Sequence, residues 1–168
     1  MERKVNSGEQ VIIGPMRGED LASVIALEER CGLNSLGRDG FEREIANESS
    51  IMVVARSRNP GGKRDEVVGS LSGWVVADEF QIDNIVVAEA LRRRGIGIAL
   101  LRTGARLAWL RGAKKALLEV RSGNLAARML YQKLGFGVSA RRQHYYRDPP
   151  DDALVMVCSA DEWKGLVA

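Results

Sequence analysis

Histidine is nearly absent from this chain of 168 residues: His144 is the only one, and there are just two cysteines, Cys31 and Cys158. The cysteines lie far apart without the spacing of a metal knuckle. One imidazole gives a zinc centre or a serine–histidine triad little to build on, so no metal is expected. Aromatic residues are only 5%, too few for a platform that stacks single-stranded nucleic acid. The charge imbalance is small too. Lysine and arginine number 25 against 22 acidic residues, giving +3 and a pI near 9.1. That excess favours anionic ligands or acidic partners without arguing for direct nucleic-acid binding. No run reaches the ~18 apolar residues that span a bilayer. The start, Met1–Glu9, lacks the apolar core of a secretory leader. The expectation is a cytoplasmic protein with free thiols and no membrane partner.

What is present reads as one ordered domain. Hydrophobic residues make up 45% and charged ones 28%, a balance that excludes wholesale disorder. Residues 1–9 read as a loose polar tail and Val11–Met16 as a short strand. A helix follows Asp20, with Leu21, Val24, Ile25 and Leu27 on one face. Gly32, Gly37 and Gly40 break the chain before a second helix through Phe41 and Ile45. Ile51–Ala55 and Val67–Val76 make a hairpin around the turn signal at 59–65. The pattern then changes to strand–helix–strand–helix–strand: an extended stretch to Val87, a helix to Gly112, a strand at Lys115–Val120, a helix from Asn124 to Leu134, and extended segments around Val138, Tyr145–Tyr146 and Ala153–Cys158. A meander followed by that alternation implies an α+β domain, residues 1–168, with a mixed sheet and helices on its faces.

The sharpest local feature is Arg92-Arg93-Arg94-Gly95-Ile96-Gly97, between an apolar strand and the helix from Ile98 to Leu110. Two glycines one residue apart let the backbone approach a ligand with no Cβ in the way. Amide groups at a helix start, with the partial positive charge there, suit a pyrophosphate. The dinucleotide fingerprint is incomplete, since Leu100 stands where its third glycine belongs, and no Gly-Lys-Ser/Thr phosphate loop is present. Taken alone, the turn is equally a solvated basic helix cap.

Further residues carry two readings each. Glu119 interrupts the apolar strand Ala116–Val120, where glutamate is depleted. It is either ion-paired, for example with Arg121 on the same face, or a general base with a pKa raised by partial desolvation. Tyr131 is either a core aromatic or a hydroxyl at the rim of a site. Asn124 has the position of an N-cap. His144, Tyr145 and Tyr146 form a surface hairpin or the wall of a substrate groove.

As an ordered set these segments resemble one family. Asn84–Val87, Arg92–Gly97, Glu119–Ala127, Leu130–Phe136, and Tyr145-Tyr146 followed by Asp152-Ala153 are similar to the GNAT superfamily of N-acetyltransferases, and within it to the bacterial branch that acetylates the N-terminal alanine of a small-subunit ribosomal protein. The resemblance spans about half the chain. It implies a mostly antiparallel central sheet flanked by helices on both faces, and direct transfer of acetyl from acetyl-CoA to an amine. Arg92, Arg93, Arg94, Gly95, Ile96, Gly97 and Ile98 would then cradle the CoA pyrophosphate. Ile85, Val86 and Val87 would pair with the pantetheine arm and Asn124 would contact it. Glu119 matches the family's proton acceptor and Tyr131 its donor, while His144, Tyr145 and Tyr146 would line the groove for an acceptor N-terminus. The partner is a protein N-terminus, from a monomeric or homodimeric enzyme.

Two departures bear on the acceptor. Cys31–Arg38 carries no proline or tryptophan where the branch has an aromatic segment, and Ala88–Leu91 replaces its proline and aromatic before the arginines. The first loosens peptide specificity and the second leaves cofactor binding intact. A lysine or small-amine acetyltransferase, or a silent CoA-binding module, is the competing expectation.

Overall fold

The computed structural model describes residues 2–4, 10–33, 35–58 and 65–167. Its elements are β1 (Glu2–Lys4), β2 (Gln10–Pro15), α1 (Leu21–Arg30), α2 (Gly37–Ala46), β3 (Ser50–Ser57), β4 (Glu66–Val76), β5 (Glu79–Val87), α3 (Ile96–Leu110), β6 (Lys115–Arg121), α4 (Leu125–Lys133), β7 (Phe136–Arg147), β8 (Pro150–Cys158) and α5 (Ala160–Val167). The strands run in the order β1-β2-β3-β4-β5-β6-β8-β7. The β5–β6 step is parallel, while β1–β2, β2–β3, β6–β8 and β8–β7 are antiparallel. The expected α+β chain with a mixed, mostly antiparallel sheet is what forms. By its internal contacts it divides into two compact units, Met1–Gly73 with Asn84–Gly104, and Trp74–Asp83 with Ala105–Ala168. The β4–β5 hairpin and α3 contribute to both.

In the first unit, Leu21, Val24 and Leu27 recur at helical spacing on α1 and are buried. They join Phe41 of α2, Met52 and Val54 of β3, Val67 of β4 and Val86 of β5 in one cluster. Strand β4 is buried continuously from Val67 to Gly73, the pattern of a strand covered on both faces. A Cβ at Gly69 would stand 3.0 Å from the Val86 carbonyl oxygen and 3.1 Å from Leu100 Cδ1. The bare glycine is what lets the start of α3 lie against β4 and β5.

Two expectations are corrected here. Gly37 and Gly40 open α2 instead of breaking the chain before it. Gly37 turns into the helix at φ 68°, and a Cβ at Gly40 would meet Leu36 Cβ at 2.9 Å. Glu2–Lys4 of the supposed tail pair with Ile12–Gln10 as a strand, since a backbone ladder needs no apolar side chain. The rest of the supposed tail, and residues 59–64 of the hairpin turn, lie outside the described residues.

The second unit packs on β6 and β8. Ala116, Leu118 and Val120 alternate into its core opposite Met156, Leu154 and Cys158 of the neighbouring strand. Helix α5, which the sequence reading did not foresee, adds Trp163. Its indole N–H donates to the Ala113 carbonyl (3.1 Å) and its ring meets Phe80 edge-on. Gly135 ends α4 at φ 88°, and a Cβ there would collide with Glu162 Cβ at 2.7 Å, so the glycine makes room for α5. Both cysteines are free, and burial, then the Glu162 charge, pushes the Cys158 thiol up to about 11. No helix among the described residues is long and apolar enough to cross a membrane.

One buried ion pair ties the first unit together. Asp20, just before α1, takes hydrogen bonds from Arg56 Nε of β3 (2.9 Å) and from the Arg17 amide (2.7 Å), with both side chains of the pair largely buried. Arg56 also donates to the Pro15 carbonyl, 3.0 Å away. Removing one member of such a pair leaves an uncompensated buried charge, which typically costs about 3–5 kcal/mol. Urea denaturation of Asp20→Ala should show a loss of that order, and Asp20→Ala/Arg56→Met should recover much of it. A single variant as stable as the parent would show that the pair does not hold α1 to β3.

Candidate active site

The first unit carries the basic turn. Arg93 and Gly95 both adopt positive φ, 63° and 81°, so the chain reverses sharply before α3 begins at Ile96. The first bond into the helix runs from the Ala99 amide to the Gly95 carbonyl (3.1 Å), which leaves the amides of residues 96–98 ahead of the ladder. Arg92, Arg93 and Arg94 are all exposed. Arg92 bends back, its Nε donating to the Val87 carbonyl at 3.2 Å and its Nη2 lying 3.8 Å from Cys31 Sγ. These are the features an anionic, phosphate-bearing ligand needs: free amide donors, close backbone approach and positive charge. Just before the turn, Ile85, Val86 and Val87 lie past the last pair of the β5–β6 ladder, Ile82 with Leu118.

The second unit carries the ionisable cluster. Glu119 faces away from the core of β6, its side chain one-quarter exposed. Its partner is Arg142 of β7, with Nη1 at 3.0 Å from Oε1. Arg121, the ion-pair partner expected on the same face, instead donates to the carbonyls of Pro149 (2.8 Å) and Asp148 (2.9 Å) and stacks its guanidinium 4.0 Å from the Tyr146 ring centroid. Arg142 could not be picked out from the sequence, because its alignment with Glu119 passes through β8 and depends on two irregularities in β7.

The second irregularity builds the tyrosine wall. Arg142 pairs with Ala153 and Tyr146 with Asp151, so four steps on β7 match two on β8. The surplus is absorbed at His144, which takes φ 52°. In a regular strand, Tyr145 and Tyr146 would point to opposite faces. Here their rings meet edge-on with centroids 5.2 Å apart, and the Glu119 carboxylate beside them raises the pKa of both hydroxyls. The bulge therefore aims two neighbouring tyrosines at one carboxylate, as bulges beside reactive sites do. His144 itself is exposed and contributes its backbone: its amide donates to Asp152 Oδ1 (2.8 Å).

Tyr131 sits buried on α4 with its ring tilted against Phe136, 5.8 Å between centroids. Burial, then the nearby Tyr146 hydroxyl, holds its pKa far above the ordinary ~10. Asn124 is the N-cap of α4, its Oδ1 accepting from the Ala127 amide at 3.1 Å, which leaves the side-chain amide N–H2 to face outward. Two residues that the sequence reading gave no role organise the rest. Asp151 and Asp152 each hold a loop of this cluster by several hydrogen bonds. Among the described residues, no group of three or more histidine, cysteine or acidic side chains is gathered as a metal site.

A basic amide-rich turn and a carboxylate ringed by tyrosine hydroxyls are the parts of a group-transfer enzyme that uses an anionic cosubstrate. Comparison with known proteins gives that class a family. The acetyltransferase (GNAT) family model matches residues 21–136. The chain is similar to an N-alpha-acetyltransferase RimI of Mycobacterium tuberculosis, 35% identical over 151 residues that cover 88% of this chain and 92% of the relative. It is also similar to the ribosomal protein bS18-alanine N-acetyltransferase of Escherichia coli K12, 40% identical over 84 residues, or 49% of this chain and 57% of that protein. The crystal structure of the ribosomal-protein-S18-alanine N-acetyltransferase from Escherichia coli superposes with a TM-score of 0.74 at 28% identity, covering 89% of this chain and 94% of that one. The chain belongs to the GNAT acetyltransferase family.

All three tyrosines of the chain are shifted the same way. Glu119, accepting its hydrogen bond, raises Tyr145; burial, then the Glu119 charge, raises Tyr146 against the opposing Arg121; burial raises Tyr131. A raised folded pKa means the native state keeps protons that the unfolded chain gives up near pH ~10, so this contribution to stability is intact below that pH and is lost as the pH climbs above it. Ultraviolet titration of the folded protein should therefore show less than half of the tyrosine ionised at the ordinary midpoint, with Tyr131 the last to ionise. A tyrosine titrating normally in the folded protein, with Tyr131→Phe abolishing that step, would contradict the buried placement of Tyr131.

Proposed function

We propose that this protein transfers the acetyl group of acetyl-CoA to the N-terminal α-amino group of a protein, of the kind that begins with alanine in a small-subunit ribosomal protein. The observation that carries this reading is the 35% identity, across nearly all of both chains, with a relative named as an N-alpha-acetyltransferase. The bS18-alanine N-acetyltransferases among the relatives supply the acceptor class.

The residues fit that cosubstrate. Acetyl-CoA, when bound, brings an acetyl thioester, an acyl donor with a good leaving group. The amides of residues 96–98 and the side chains of Arg93 and Arg94 would hold its pyrophosphate, and the outward amide of Asn124 would hold its arm. The backbone of Ile85, Val86 and Val87 would pair with the pantetheine, and an amide there would stabilise charge on the thioester oxygen, a donor typically worth roughly 2.7–4 kcal/mol. Tyr145 and Tyr146, set by the His144 bulge, would line the path of the acceptor.

An α-amino group titrates near ~7.7–8.0, so at neutral pH one proton must leave before nitrogen can attack. Glu119 would take the proton that the amine sheds as the C–N bond forms and the C–S bond breaks. Tyr131 would donate to the departing sulfur, an ordinary thiolate with pKa of order ~8.5. Because its own pKa is raised in the folded protein, full proton transfer from Tyr131 is uphill, and its contribution is a neutral hydrogen bond to sulfur.

Incubation with acetyl-CoA and a peptide beginning with alanine should release free thiol and yield a product 42 mass units heavier, roughly, at its N-terminal amine. Acetylation of lysine or a small amine with none at the N-terminus would move the protein to another branch. Glu119→Gln should lower kcat by about 10²–10⁴-fold with acetyl-CoA affinity unchanged by calorimetry, and Tyr131→Phe should lower it less. Normal turnover in both variants would remove these two residues from the chemistry.

A further inference from the structure

We infer that the adjacent residues Asp151 and Asp152 are positioning residues with separate duties, Asp151 for the donor arm and Asp152 for the acceptor wall. The inference rests on the roles proposed above for Asn124, Tyr145 and Tyr146. Asp151 reaches one way along the sheet. Its Oδ1 accepts from Ser122 Oγ (2.6 Å) and its Oδ2 from the Gly123 amide (3.1 Å). These two residues form the turn that delivers Asn124 to the start of α4, and a Cβ at Gly123 would crowd Asp151 Oδ2 at 3.3 Å. The carboxylate thus fixes the turn from outside while Asn124 caps the helix from within.

The Asp152 side chain reaches the opposite way, while its own amide donates to Asp151 Oδ1 at 2.8 Å. Its Oδ1 accepts the His144 amide at 2.8 Å, and its Oδ2 takes Arg141 Nε and Nη2, both at 2.6 Å. His144 is the residue whose positive φ lets Tyr145 and Tyr146 share a side. Without an acceptor for its amide, that backbone has no reason to stay in a region that costs a non-glycine residue about 1–3 kcal/mol. Arg141 anchors the carboxylate, so the bulge is held by a three-part chain: Arg141, Asp152, His144. The two neighbours thus serve different strands, Asp151 the exit turn of β6 and Asp152 the bulge of β7. Both carboxyls are held below the usual carboxylate range, by Ser122 first for Asp151 and by the His144 amide first for Asp152, so both clamps are charged at neutral pH.

The test separates the two duties. Asp152→Ala should raise the KM for an alanine-initiated peptide by about tenfold or more, with acetyl-CoA affinity unchanged, whereas Asp151→Ala should weaken acetyl-CoA binding by a similar factor with the peptide KM unchanged. Asp152→Asn, which still offers an oxygen to the His144 amide, should recover part of the loss. Amide hydrogen exchange should lose protection at His144 only in Asp152→Ala and at Gly123 only in Asp151→Ala. Equal kinetic effects from both variants, crossed effects, or an exchange pattern that does not follow this split would overturn the inference. A parent enzyme that acetylates no N-terminal peptide would instead defeat the proposed function. In that case the exchange pattern, together with CoA calorimetry on the Asp151 variant, still decides the clamps.

Discussion

Strand β8 fixes the relation between Glu119 and everything that acts on it. It lies between β6 and β7, pairing Val155 with Glu119 on one side and with Ala140 on the other. A one-residue slip in either ladder would move every side chain of that strand to the other face. The ion pair to Arg142 and the influence of the carboxylate on Tyr145 and Tyr146 all presuppose this double register. So does the packing beneath it, because the alternate residues of β6 and β8 that do not face the cluster form the core with Trp163 and Phe80. Core and reactive face are two sides of the same ladder.

That register hands Glu119 an arginine, which at first sight opposes its use as a base. The magnitudes decide otherwise. With Arg142 about half exposed and Glu119 one-quarter exposed, the pair belongs to the class worth about 0–1 kcal/mol. A positioned general base contributes 10²–10⁴-fold, or about 3–5 kcal/mol. An incoming ammonium can therefore replace the guanidinium at little cost, and Arg142 also has the Tyr145 ring, 5.5 Å from its guanidinium carbon, to rest against. The ion-pair and base readings of Glu119 are compatible, since a pair this weakly held would open readily for the amine of the proposed reaction.

The sequence made some of this legible and hid the rest for physical reasons. Hydrophobic periodicity located eleven of the thirteen helices and strands closely enough to place each motif, since burial of α1 or β6 is written locally every 3.6 or two residues. It missed β1, which is held by backbone pairing, and α5, where only Trp163 and Leu166 are buried in eight residues, and it misplaced Gly37, which takes a positive φ, and Gly40, which clears Leu36. The arginine–glycine turn was readable because its geometry is set by neighbours in sequence. Arg142, Asp151 and Asp152 were not, since their partners are 23, 28 or 29, and 8 or 11 residues away and are chosen by bulges that leave no composition signal.

This difference in encoding has a consequence for how the protein can vary. The proposed donor grip resides largely in one contiguous stretch, Ile85–Ile98, and its shape follows from glycine, arginine and the start of a helix. The proposed acceptor wall is assembled from three strands, and its orientation depends on a surplus of two residues absorbed at His144. Changing one residue of the bulge, or of its Arg141–Asp152 anchor, would re-aim two tyrosines without touching the arginine–glycine turn. A fold built this way can keep one acyl donor while its acceptors diverge, which is why the sequence names the donor more firmly than the amine it serves.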